Sequence, residues 1–100
     1  MHPSAQKTSR LVQLADVAIA AAQKERSSAH RTGKTWLVED CDLAITNLRA
    51  IREGAISGRL PASNGAGLGI TRALSEWGVS TALYTAGHAL EAYYQDEYGA

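Results

Sequence analysis

The sequence predicts an all-α fold: a single domain spanning residues 1–100, built as a compact antiparallel bundle of about four helices of unequal length. Apolar residues recur at three- and four-residue steps over long stretches, which is the spacing of one face of an α-helix. Alanine and leucine, which favour helices, supply much of the 45% apolar content, and phenylalanine is absent. A chain of 100 residues is also long enough to bury one hydrophobic core.

The first predicted helix runs from Ser4 or Thr8 to about Ser27. Its inner face is rich in alanine, so a neighbouring helix can approach closely. The polar segment from Ser27 to Lys34 contains Gly33 and is predicted to be the first connection. The apolar residues of this face are Leu11, Leu14, Ala15, Ala18, Ile19 and Ala22.

The second predicted helix, Thr35–Ser57, has the strongest pattern, and we expect the other helices to pack along it. Thr35 is the expected N-cap, because its hydroxyl can accept from the free amides of the first turn. Acidic residues follow near the positive end of the helix, as the helix dipole favours. These are Glu39, Asp40 and Asp42, and the apolar stripe is Leu37, Cys41, Ala44, Ile45, Leu48, Ile51, Ala55 and Ile56.

Two shorter helices are expected after the glycine-rich loop of residues 58–69. The third begins at Ser63 or Asn64, runs to Trp77 and ends at Gly78. The fourth is capped by Ser80 and runs from Thr81 to about Glu97. The predicted inward residues are Leu68, Ala73, Leu74 and Trp77 on the third helix, and Leu83, Ala86, Gly87, Leu90 and Tyr94 on the fourth.

Partial motifs for ligand chemistry are present, but each lacks necessary residues. Gly33-Lys34-Thr35 resembles the end of a phosphate-binding loop, yet Ser28 stands where that motif needs a glycine. The glycines of residues 65–69 do not have dinucleotide-binding spacing. His88 and Glu91 could offer two metal ligands, whereas a stable site needs three or four. Since Cys41 falls within an apolar stripe, we expect a buried thiol and not a nucleophile. The sequence predicts no enzyme, no cofactor and no metal.

Charge and hydropathy indicate which partners to expect. Ten basic and ten acidic side chains cancel, which removes the basic excess typical of proteins that bind nucleic acids or membrane surfaces. No apolar run approaches the length of about 18 residues that a membrane span requires, and the N-terminus does not resemble a signal peptide. A lone cysteine, Cys41, suits a reducing compartment. We therefore expect a cytoplasmic protein without a nucleic-acid or membrane partner.

The neutral total hides an uneven distribution of charge. Residues 1–60 carry nine basic and six acidic side chains, a balance of +3, whereas residues 61–100 carry one and four, a balance of −3. The fourth helix combines this acidity with all four tyrosines, a residue type enriched at protein interfaces. We expect it to display a binding surface; the alternative is a solvated helix end with two tyrosines packed inward. The tyrosines are Tyr84, Tyr93, Tyr94 and Tyr98.

Part of the sequence also resembles a known family. Leu68-Gly69 followed by Ala73-Leu74-Ser75-Glu76, and then Ala89-Leu90-Glu91-Ala92-Tyr93-Tyr94, is similar to the C-terminal half of small helical immunity proteins of bacterial type VI secretion systems. Leu48-Arg49-Ala50-Ile51 extends the resemblance to about residues 40–95. The most similar family neutralises NAD(P) glycohydrolase effectors. This resemblance implies a small cytoplasmic protein for interbacterial competition, which binds a toxin domain and occludes its active site without catalysis.

The residues expected to contact such a toxin are acidic or aromatic. An acidic surface would compete for the basic groups that hold a substrate's phosphates. The alternative is a structural or regulatory helical domain that self-associates, for example as a homodimer, through its alanine-rich faces. An enzyme that uses His88 and Glu91 is a third hypothesis. The predicted contact residues are Trp36, Glu76, Trp77, Glu91, Tyr94, Asp96 and Glu97.

Overall fold

The computed structural model describes the backbone of residues 3–61, 68–77 and 79–98, with side chains from residue 6 onward apart from that of Trp77. It confirms the all-α prediction, since every regular element in these ranges is a helix. The molecule is elongated, measuring 46 × 23 × 19 Å. The helices are α1 (Pro3–Arg31), α2 (Thr35–Ile56), α3 (Ile70–Trp77) and α4 (Thr81–Glu97).

The turn between α1 and α2 begins later than predicted. The polar residues after Ser27 remain helical as far as Arg31, because polar side chains are tolerated on an exposed helix face. Gly33 then adopts a left-handed conformation, with φ of +73°. The amide of Lys34 donates to the carbonyl of Ala29 (2.9 Å), and that of Gly33 donates to His30 (3.3 Å). This pair of hydrogen bonds is the Schellman motif, which ends a helix at a glycine.

The expectation that Thr35 caps α2 is wrong. Lys34 occupies the N-cap position, its side chain makes no capping hydrogen bond, and Thr35 is already helical. The reason is that α2 follows directly after the turn at Gly33. The carbonyl of Lys34 already accepts the first helical hydrogen bond, from the amide of Val38 at 3.1 Å. No acidic residue lies in the first turn of α2. Glu39 and Asp40 are therefore too far along the helix to interact strongly with the positive end of its dipole, contrary to the expectation from the sequence.

The helix that organises the bundle is α1, not α2 as expected. Within the described residues α1 packs against both α2 and α4, α3 packs against α4 and α2, and α2 does not contact α4. With 29 residues, α1 is roughly 43 Å long and spans almost the whole molecule. Most side chains of its buried face are small, because alanine occupies many of the contact positions. Neighbouring helices can therefore pack closely against α1 on two sides. This face contains Leu11, Ala15, Ala18, Ala22 and Ala29.

Ion pairs reinforce the contact between α1 and α2. Arg52 donates to Asp16 at 2.8 Å, and Arg26 pairs with Asp42. Cys41, which precedes Asp42 on α2, is fully buried. Burial raises the pKa of the Cys41 thiol to about 11, with smaller contributions from nearby carboxylates. The prediction of a buried cysteine on the inner face of this helix is confirmed.

The start of α3 is fixed by a carboxylate from α4. Glu91 is buried, and its two carboxylate oxygens accept hydrogen bonds from the backbone amides of Leu68, Ile70 (3.3 Å) and Thr71 (3.0 Å). Burial acts to raise the pKa of Glu91, but the hydrogen bonds from Thr71, Leu68 and Ile70 outweigh it and lower the pKa. The predicted start at Ser63 or Asn64 and the predicted end at Gly78 lie outside the described residues.

The start of α4 uses a similar device in addition to the predicted cap. Ser80 is the N-cap, and its hydroxyl accepts from the amide of Leu83 at 3.3 Å. The backbone amide of Ser80 donates in turn to both oxygens of Glu25 on α1, at 2.9 and 3.0 Å. The predicted Ser80 cap is confirmed, and Glu25 fixes this end of α4 against α1.

Gly87 permits the close approach of α3 to α4. A Cβ atom built at this position would clash with Leu74 Cδ1 and would lie 3.0 Å from Ile70 Cγ2. Both side chains are buried, so Leu74 would have to repack to make room for such an atom. The absence of a side chain at Gly87 is therefore a packing requirement, and the predicted inward position of this residue is confirmed.

We predict that Glu91→Gln lowers the free energy of unfolding at neutral pH by about 1.5–3 kcal/mol, because a carboxamide is a weaker acceptor for three backbone amides. Since the folded-state pKa of Glu91 is lowered, the stabilisation is present above its unfolded-state pKa, about 4.3, and is lost as the pH falls through the folded-state value. Urea unfolding at a series of pH values measures both effects.

The matched control is Glu76→Gln, which changes an exposed glutamate on α3 that pairs only with Arg72 at i,i+4. We expect it to change stability by less than about 0.5 kcal/mol. A difference between wild type and Glu91→Gln that stays constant down to pH values below about 3 would contradict the capping role of the carboxylate.

We also predict that Gly87→Ala destabilises the protein by about 1–3 kcal/mol, although alanine favours helix, because the new methyl group overlaps Leu74. The double variant Gly87→Ala/Leu74→Ala should lose less stability than the sum of the two single variants, since each change makes room for the other. Thermal unfolding of all four proteins measures this coupling, and strict additivity would be inconsistent with the contact.

Candidate protein-binding surface

The residues predicted to contact a partner do not form one continuous surface. Trp36 lies at the start of α2 and Glu76 near the end of α3. Glu91, Tyr94, Asp96 and Glu97 lie on α4. Trp77 ends α3, and its side chain lies outside the described part of the structure. Glu76, Asp96 and Glu97 are exposed, as a contact surface requires.

Two of the predicted contact residues are not at the surface. Glu91 is only 8% exposed, because its carboxylate is enclosed by the amides at the start of α3. Tyr94 is 3% exposed, and its hydroxyl donates to the carbonyl of Pro61 at 2.6 Å. The expectation that Glu91 and Tyr94 contact a partner is therefore wrong for this conformation, whereas the predicted inward position of Tyr94 is confirmed.

Two further tyrosines, Tyr93 on α4 and Tyr98 just after it, connect the end of α4 to the first part of α1. The Tyr93 hydroxyl donates to the carbonyl of Lys7 at 3.2 Å, and the ring of Tyr98 lies 5.4 Å from that of Tyr94. The Lys7 ammonium lies 4.5 Å from the centroid of the Tyr98 ring and donates to the carbonyl of Glu97 at 3.1 Å. These contacts favour the alternative in which tyrosines pack inward.

Tyr84 and His88 form an exposed pair on α4. Their rings are stacked, with centroids 6.1 Å apart and planes 4° from parallel. Glu91, the proposed second metal ligand beside His88, is already bound to backbone amides. The residues that the structure describes contain no group of three or more side chains suited to hold a metal ion.

The largest exposed apolar side chain among the described residues is Trp36, which is 63% exposed. Leu43, 51% exposed, lies seven residues further along α2 and hence on the same side of the helix. Glu39 and Asp40 stand between them in the sequence. We refer to Trp36, Glu39, Asp40 and Leu43 as the α2 face. Trp36 is predicted from the sequence, whereas Leu43 is not. The signal for Leu43 would have been that it is an apolar residue outside the apolar stripe of its helix.

The two carboxylates of the α2 face have no internal partner among the described residues. Asp42, the next acidic residue, is paired with Arg26, whereas Glu39 and Asp40 make neither an ion pair nor a side-chain hydrogen bond in that part of the chain. Neither do they lie in the first turn of α2, where the helix dipole would stabilise them. Their negative charge is thus available to a basic partner.

An apolar groove adjoins the α2 face. It lies between α2 and α3 and has a volume of about 370 Å³. Leu68 and Gly69, held near the start of α3 by Glu91, form part of its wall. Most of the remaining lining consists of small or aliphatic side chains, chiefly Ala44, Leu48, Ile51, Ile70, Ala73 and Leu74. The α2 face and this groove are the candidate functional site.

No helix in the described residues is long and apolar enough to span a membrane. Comparison with known proteins found no family model, no curated protein and no solved structure that matches this chain. We therefore base the proposed function on the α2 face, on the adjoining groove and on the resemblance found in the sequence.

Proposed function

We propose that this chain is a non-enzymatic protein-binding domain, and specifically an immunity protein that occludes the active site of a cognate antibacterial toxin that degrades NAD(P). The observation that carries the proposal is the 63% exposure of Trp36. An indole exposed to this extent gives up most of the hydrophobic stabilisation that burial would provide. Tryptophan is also among the residues that dominate binding energy when a partner covers them.

The charge of the α2 face supports a toxin of this chemistry. An enzyme that binds a dinucleotide holds phosphates with basic groups, and the uncompensated carboxylates of Glu39 and Asp40 would compete for such groups. The exposed carboxylate of Glu76 on α3, which pairs with Arg72, adds to the acidity near the groove. Asp96 and Glu97 are also exposed but lie at the other end of the molecule, where Glu97 contacts Lys7. Binding would then block the cleft sterically and electrostatically, with no cofactor, nucleic acid or membrane involved. A free, buried Cys41 suits action in the reducing cytoplasm.

A second candidate function is self-association, which exposed aliphatic side chains would favour. Val17, Leu43 and Ile56 are each more than half exposed, and such residues can be covered by a second copy of the chain. Sedimentation velocity from about 5 to about 500 µM distinguishes the two functions, since a homodimer of micromolar affinity would form within this range. A monomer throughout favours the toxin-binding function.

We predict that Trp36→Ala weakens toxin binding at least tenfold, about 1.4 kcal/mol, because a central indole contact is removed. The partner to test is the toxin domain encoded by the adjacent open reading frame, first by co-purification and then by calorimetry. Val17→Ala, which truncates a similarly exposed side chain on α1, is the matched control and should bind like wild type.

A toxin domain that fails to co-purify with wild-type protein would refute the immunity function. Equal affinity of wild type and Trp36→Ala, with both variants folded by circular dichroism, would instead show that binding uses another surface. Charge reversal of Glu76, Asp96 and Glu97 together then tests whether that surface is the acidic one predicted from the sequence.

A further inference from the structure

We propose that the partner presents an amphipathic helix with lysine or arginine along its flank, and that this helix lies along α2, with apolar side chains on Trp36 and Leu43 and in the groove between α2 and α3. The inference rests on the proposed protein-binding function and adds the kind of element that the surface recognises. Three features of the described residues carry it: spacing, volume and charge.

The spacing of the contact points matches a helix. Trp36, Leu43 and Ala50, at the edge of the groove, follow one another at steps of seven residues, so each lies about 10 Å beyond the last along α2. An amphipathic helix presents apolar side chains at the same repeat, in the mode of recognition where a helix lies in a groove. A partner helix of about 15 residues would span all three points.

The groove can accept side chains from such a helix. Its volume of about 370 Å³ is more than ten times the roughly 30 Å³ that one water molecule occupies. Its sides are formed by two helices, with Ala44 and Ala73 as small residues that leave the space open. Apolar groups that enter would be removed from water, which is favourable in proportion to the area buried.

The acidic residues of the α2 face and of α3 lie at one end of the groove. Val79, which follows α3, lines the same depression as Leu37 near the start of α2. The C-terminal end of α3 therefore points toward the start of α2, which brings Glu76 to the same end of the groove as Glu39 and Asp40. A partner with basic residues at this end meets Glu39 and Asp40, and also Glu76 with its partner Arg72. Charge complementarity with Glu39 and Asp40 would fix its register and speed its association.

A second copy of the chain is a poorer occupant. In a dimer with twofold symmetry each patch faces the same patch of the other subunit. Glu39 and Asp40 would then be present twice in the interface, and the α2 face and the groove lining contain no basic residue to match them.

The test uses two model peptides of about 15 residues, a leucine–lysine amphipathic helix and its leucine–glutamate counterpart, added to the full ¹⁵N-labelled chain. We expect the lysine peptide to shift amide signals within residues 36–51 and 68–76 and to bind at least tenfold more tightly than the glutamate peptide. Leu43→Ser should weaken binding by about fivefold or more, whereas Val17→Ser, the matched control on α1, should leave it unchanged.

Three results would overturn the inference: equal affinity for both peptides, signal shifts confined to other parts of the chain, or the same shifts on raising protein concentration without peptide, which would identify a second copy as the occupant. The outcome is separable from that of the proposed function. A toxin that binds wild type and Leu43→Ser equally leaves the immunity function intact and refutes the helix-binding track, whereas a toxin that does not bind wild type refutes the immunity function alone.

Discussion

A buried carboxylate determines how the second half of this chain is arranged. Glu91 of α4 accepts hydrogen bonds from three amides at the start of α3, which otherwise would have no partner within their own helix. With only eight residues, α3 is too short to be stable as an isolated helix. Its position therefore depends on long-range contacts, of which the Glu91 carboxylate and the space above Gly87 are the most specific.

The same principle recurs one helix later. Glu25 of α1 accepts from the amide of Ser80, so that the start of α4 is held by a residue 55 positions away. Both carboxylates act where the partial positive charge of a helix start favours an anion. The bundle is thus assembled by connecting each short helix to a longer one: α3 to α4, and α4 to α1. Because Leu68 and Gly69 are held in this way, the wall of the groove beside α2 is a consequence of the Glu91 contact.

Local pattern predicted the helices well and their tertiary roles less well. Periodicity placed α2 and α4 to within a residue, since apolar spacing and the Ser80 cap are local signals. Periodicity could not show that α1 is central. Both of its packing faces are lined by alanine, so the buried and exposed sides of α1 differ little in hydrophobicity. The acidity and the tyrosines of α4 predict Glu91 at the surface, and only the fold brings the three amides to it. Trp36 could be identified as an anchor from its residue type, but its exposure and its pairing with Leu43 emerge only when the buried side of α2 is known.

The distribution of charge takes on a different meaning once the pairs are known. The sequence suggested a negative C-terminal half, yet Glu91, one of its four carboxylates, is enclosed in the fold. In the basic half, Asp16 and Asp42 are matched by arginines of the neighbouring helix. Glu39 and Asp40 have no such match among the described residues, although nine basic side chains occur in residues 1–60. Exposed charge acts over about 10 Å at moderate ionic strength, so two adjacent carboxylates beside an exposed indole bias which partners approach before any contact forms. The net charge of zero therefore gives no indication of the surface best suited to recognition. That surface is the α2 face, which combines two carboxylates with exposed apolar side chains.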